Sequence, residues 1–224
     1  NPLRFTDPSG MVPGDYYNEE GKRLGTDGIN NKKVYVVTND APAKQIQKTD
    51  KQGGTTQVSA VSSAVELPGY DVRQAIGAAV DRSNAPSGLD KDGGSHEEGL
   101  QWGKNASGQE QIVDAAPGAY SDVKTAARAT VVTGTAANPA EQGAITTLEG
   151  TAHVHPKAEV VTGPGPGVVF GGTMTTRNWI QPPSPVDISN AGNRPGTTNI
   201  VVGARDKTVY VYDGTGTKAT FPLK

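Results

Sequence analysis

Cysteine does not occur anywhere in the 224 residues. Its absence excludes disulfides and thiolate metal ligands, so any metal must be held by histidine, carboxylates or water. Aromatic residues make up only 5% of the chain and hydrophobic residues 34%, which allows a buried core but a lean one. Neither sign of charge dominates: 21 Lys plus Arg against 23 Asp plus Glu leaves −2. Without a basic stripe, nucleic acid is not expected as the main partner. No apolar run is long enough to span a membrane, and the first residues show no signal-peptide pattern. Histidine is scarce too, with three in all.

Glycine (29) and proline (16) are plentiful and predict many turns. The length fits one domain with a tail. Residues 11–31 are polar and turn-rich, and read as a linker with one short hairpin. "KKVYVVT", Lys32 to Thr38, is β-branched and aromatic and reads as a strand. Residues 39–63 show no clear periodicity. "YDVRQAIGAAVDRS" spaces Val72, Ile76, Ala79 and Val80 as one face of a helix, with Asp71 placed to cap it. "HEEGLQWG" and "KNASGQEQIVDA" read as two strands around an Asn-Ala-Ser-Gly turn. "ATVVTGT", Ala129 to Thr135, reads as a further strand, and "ITTLEGTAHVH" as a stronger one. Residues 157–183, with five glycines and four prolines, read as an inserted loop. "SPVDISNAG" opens a short helix, and "NIVVGARDKTVYVYD" is a hairpin turning near Arg205 and Asp206. The expected fold is α/β (α+β): a curved, largely antiparallel sheet flanked by helices, with a long Gly/Pro-rich insert.

Two of the three histidines stand two apart in "TAHVHPK". Side chains alternate across a strand, so His153 and His155 share a face and can converge on one ion. "SPVD" is the best supplier of a third ligand. Ser184 as N-cap, Pro185 at the first helical position and Asp187 three after the cap make a capping-box-like start. A helix start also projects its first-turn carboxylate forward, so Asp187 can face the histidines. A hydrolytic metal site needs a base for its water, and "HEEGLQWG" offers two. On a strand Glu97 shares a face with Gly99, Gln101 and Gly103, whose small members leave room for a metal and a substrate. Glu98 shares the other face with Leu100 and Trp102, which reads as core. Glu97 is preferred as base, and Glu98 stays open. His96 is a lesser ligand candidate, because it precedes Glu97 and points to the opposite face.

In order and type these pieces resemble the signature of the JAB/JAMM metallopeptidases: a glutamate on an early strand (Glu97), His-x-His-Pro (His153 to Pro156), then Ser-x-x-Asp (Ser184 to Asp187). The resemblance spans about residues 66–212. It implies that His153, His155 and Asp187 bind zinc, that Glu97 handles the water's proton, and that Ser184 helps stabilise the oxyanion. Two features depart from the family pattern: the 27 residues 157–183 stand where the family has a short spacer, and Leu100 stands where it tends to have glycine. The opening "NPLRFTDPSG" resembles the closing motif of the Rhs/YD-repeat core, after which a variable toxin domain follows. Together the resemblances imply residues 1–31 as the end of an Rhs-like core with a linker, and residues 32–224 as a zinc peptidase or isopeptidase toxin domain. Such a chain is expected to be delivered from a bacterial cell, to act on a peptide or protein in a target cell, and to be neutralised by a cognate immunity protein. A peptidoglycan amide hydrolase using the same site, and an inactive interaction module of the same fold, are the alternatives.

Overall fold

The computed structural model describes residues 14–88, 90–126, 128–133, 144–162 and 175–223. The opening "NPLRFTDPSG" lies outside the described residues, as do the GPGPG stretch and residues 134–143. Among the described residues the fold is mixed α and β, with three α-helices and three sheets of mostly antiparallel strands.

The central sheet has six strands, ordered β12-β11-β10-β7-β5-β6. They are β5 (Gly99–Lys104), β6 (Glu110–Asp114), β7 (Thr147–His155), β10 (Thr198–Gly203), β11 (Thr208–Asp213) and β12 (Gly216–Pro222). Only β7 and β10 run parallel; every other neighbouring pair is antiparallel. Alternation divides the chemistry of β7 between two faces. Ala152 and Val154 point into the main core with Leu100, Trp102, Ile200 and Val202. There they meet Val72, Ile76, Ala79 and Val80 of α2 (Tyr70–Asn84), the apolar stripe expected of that segment. His153 and His155 therefore face the other way. That second face is covered by α3 (Pro185–Gly192), whose Ala191 and Ile188 pack on Val201 and Tyr212.

A second sheet, β2-β1-β3-β4, is built from β1 (Asp15–Asn18), β2 (Arg23–Thr26), β3 (Val34–Val37) and β4 (Ala64–Glu66). Strand β3 is buried on both faces: Val34 and Val36 join the main core, while Tyr35 and Val37 join a smaller one with Tyr16, Leu24 and Ile46. The hairpin expected within residues 11–31 is present as β1 and β2, and β1 also runs parallel to β3.

Four local expectations are corrected. Residues 39–63 contain a helix, α1 (Asp40–Lys51), capped by the Asn39 side chain accepting from Ala41 N. Asp71 does not cap α2; Gly69 is the N-cap, with no side-chain bond. Residues 129–133 form no strand. The insert is not loop throughout: β8 (Glu159–Thr162) and β9 (Thr175–Asn178) pair as an antiparallel ribbon.

Candidate metal centre

Pairing of β7 with both neighbours pins the end of the strand. Gly99 stands opposite His153, and Val154 N donates to Glu98 O, so the register continues past β5 and brings Glu97 level with His155. Both imidazoles lie on one face, with Nε2 atoms 3.2 Å apart. Asp187 closes the group from the start of α3: its Oδ1 is 3.3 Å from His153 Nε2 and its Oδ2 3.4 Å from His155 Nε2. A tetrahedral zinc with bonds of about 2.0–2.1 Å sets neighbouring ligand atoms about 3.3 Å apart. The separations here lie near that spacing, with the two Asp187 contacts made by different carboxylate oxygens, so the group is close enough to bind a metal ion. Among the described residues these three form the one group of metal-type side chains whose ligand atoms converge, all within 4.8 Å.

Two of the three ligands are held by a partner outside the group. His155 Nδ1 donates to the main-chain oxygen of Gln181 at 3.1 Å. With that proton placed, the neutral ring presents the Nε2 lone pair to the cluster. Gln181 is itself anchored: its side-chain amide donates to the oxygens of Pro156 and Trp179, and its Oε1 accepts from Arg205 N. Asp187 accepts from Ser184 N at 2.7 Å while Ser184 Oγ accepts from Asp187 N at 3.2 Å, the reciprocal capping box expected from "SPVD". The 27-residue separation between the two motifs does not open the site. The ribbon leaves after Pro156 and returns at Gln181, where these bonds stitch its base shut.

The electrostatics follow from burial and proximity. Burial raises the pKa of Asp187, but hydrogen bonds from His153 and His155 outweigh it and hold the carboxyl well below its usual range. Burial pulls His153 down, yet Asp187 and Glu97 beside it win and raise the ring. Burial pushes the Glu97 carboxyl up, against the pull of His153 and His155. Glu97 is 7% exposed and lines the same cavity of about 770 Å³ as His153, His155, Ser184 and Asp187. Gly118 lets the 128–133 segment press close: a Cβ there would meet Thr130 O at 2.3 Å, while Gly118 N donates to Glu97 O at 2.8 Å.

Glu98 is placed elsewhere. It bonds Arg82 at 3.0 Å and His96 at 3.3 Å. His96 is buried between Glu98 and Asp90, away from the cluster, as its place before Glu97 predicted. Gln181 and Asp90 carried no signal in the sequence, since a lone amide among prolines and a lone aspartate in a loop match no motif. Arg128, Arg177 and Arg194, which also line the cavity, went unread for the same reason. No protein-family model, curated protein or solved structure matches the chain.

Proposed function

We propose that this chain is a zinc-dependent amide hydrolase, a peptidase or isopeptidase, with His153, His155 and Asp187 holding the metal. The observation that carries this reading is the buried carboxyl of Glu97 sharing one cavity with three converging ligand atoms. Zinc in such a site would supply Lewis acidity, polarising a carbonyl and bringing the pKa of water to about 7. Glu97 takes the water's proton and passes it to the leaving amine. Its carboxyl lines the same cavity as the three ligand atoms, which places it for that exchange. The Ser184 oxygen is engaged by Asp187 N, which leaves its O–H free to donate toward the developing oxyanion. Gln181 O orients His155, and the capping box aims Asp187.

The Rhs-like string at residues 1–10 supports the further reading of a toxin delivered from a bacterial cell and matched by an immunity protein. Absence of a long apolar helix among the described residues agrees with a chain without a helical membrane span. The test is cleavage of a panel of linear peptides, isopeptides and muropeptides by the zinc-loaded protein. Cleavage of one class, abolished by chelation and restored by zinc, is the expected result. A zinc-loaded, folded protein inert toward all three would remove the hydrolase reading and leave an interaction module.

A further inference from the structure

We propose that the cleft selects peptides carrying a carboxylate near the scissile amide, and that Arg128, Arg177 and Arg194 read that carboxylate. The inference deepens the amide-hydrolase reading above and rests on it. It starts from how the arginines are partnered. Away from the cleft, Arg23 is paired with Asp15 and Asp50, Arg82 with Glu98 and Asp114, and Arg205 with Glu159. Buried Arg73 donates to Pro68 O. The three arginines that line the cleft meet no carboxylate among the described residues. Arg177 gives its terminal nitrogens to the main-chain oxygens of Lys124 and Ala126. Arg194 uses only Nε, toward Asn190 O, which leaves the other edge of its guanidinium unused. Arg128 makes no hydrogen bond or ion pair among the described residues.

Surface arginines of a chain with more acidic than basic residues ordinarily find a partner, and among the described residues the three elsewhere, Arg23, Arg82 and Arg205, do so. Leaving three without a carboxylate partner around one cavity concentrates positive charge there. The cavity's own carboxylates, Asp187 of the ligand group and Glu97 beside it, would be offset by the two charges of a bound divalent ion. No lysine lines the cavity among the described residues. Arginine is the side chain whose planar fork matches a carboxylate with two parallel hydrogen bonds. A free C-terminal carboxylate and an Asp or Glu side chain share this chemistry, so the probes must separate them.

The experiment is calorimetry with the zinc-loaded full chain carrying Glu97→Gln, which slows turnover. The probes are N-acetyl-Ala-Ala-Ala with a free carboxylate, its C-terminal amide, and N-acetyl-Ala-Asp-Ala amide. At least one acidic peptide is expected to bind about tenfold or more tightly than the neutral amide, consistent with hydrogen bonds between charged groups. The margin should narrow as salt rises. Arg194→Gln should cut it several-fold and Arg194→Glu abolish it, with melting curves confirming the fold. Preference for the first probe assigns a terminal carboxylate, and for the third a side chain. Equal binding of all three, or a preference untouched in Arg128→Gln and Arg194→Glu, would overturn the proposal. Zinc content measured in the same samples separates the two readings: zinc without preference removes this inference alone, and preference without zinc removes the hydrolase reading.

Discussion

Glu97 and Glu98 are adjacent in sequence and opposite in environment. Glu98 is tied to Arg82 and His96, whereas Glu97 faces the cleft. Strand alternation favoured Glu97 and left Glu98 open: Leu100 and Trp102 marked one face as core, and both are buried there. Glu97→Gln should keep the metal and the fold but lower kcat by about 100- to 10,000-fold, the usual share of general acid–base catalysis. Glu98→Gln should act mainly on stability. Assays of both variants on one peptide, with metal content checked, compare them; an active Glu97→Gln beside a dead Glu98→Gln would show that the base is misassigned. Gln181 was illegible because its role is built from main-chain contacts across the base of the ribbon. Gln181→Ala loosens the carbonyl that orients His155, and should weaken zinc affinity about 10- to 100-fold, the range for partners behind metal ligands. Competition with a chelating dye reads this; unchanged affinity would mean that the main chain holds its place unaided.

Among the elements, those with strong short-range signals were legible. The α2 stripe, the capping box of α3 and the β10–β11 hairpin each rest on residues within a few positions of one another. Helix α1 was missed because its one fully buried residue is Ile46, so "DAPAKQIQKTDK" carries no apolar stripe. The ribbon was missed because its glycines and prolines were counted over the whole insert, masking the β-prone "EVVT" of β8. The turn from α2 into β5 shows the same limit. Asp90 is buried and accepts from Gly93 N, Ser95 N and His96 Nδ1, fixing the loop that delivers Glu97. Burial raises its pKa, but the bonds from His96 and Ser95 outweigh that and leave it lowered. A lowered pKa makes its contribution complete above the usual carboxylate value of about 3.9 and lost as pH falls through the folded value. Asp90→Asn should therefore cost about 1–3 kcal/mol at pH 7, with the gap to the unsubstituted protein closing below about pH 4. Denaturant titrations at pH 7 and pH 3 measure it; an equal gap at both would place the effect outside Asp90's charge.

At the scale of the whole molecule, the cleft is assembled from segments far apart in sequence: Glu97 before β5, two histidines at the end of β7, and Asp187 at the start of α3. Periodicity placed each one locally. Strand alternation and the projecting helix start suggested that Asp187 could face the two histidines, but no local rule relates positions 97, 153 and 187 across the chain. If the chain is a toxin as proposed and acts through the assembled site, expression of residues 11–224 in a sensitive cell's target compartment should arrest growth, and Asp187→Ala should relieve the arrest. Equal toxicity of the two would detach the site from the effect. All of these readings depend on the metal. Elemental analysis of the purified chain, reconstituted at neutral pH beside His153→Ala, tests it most directly. The account predicts about one zinc per chain, with most of it lost in the variant; no zinc in the unsubstituted protein, or full occupancy in His153→Ala, would contradict it.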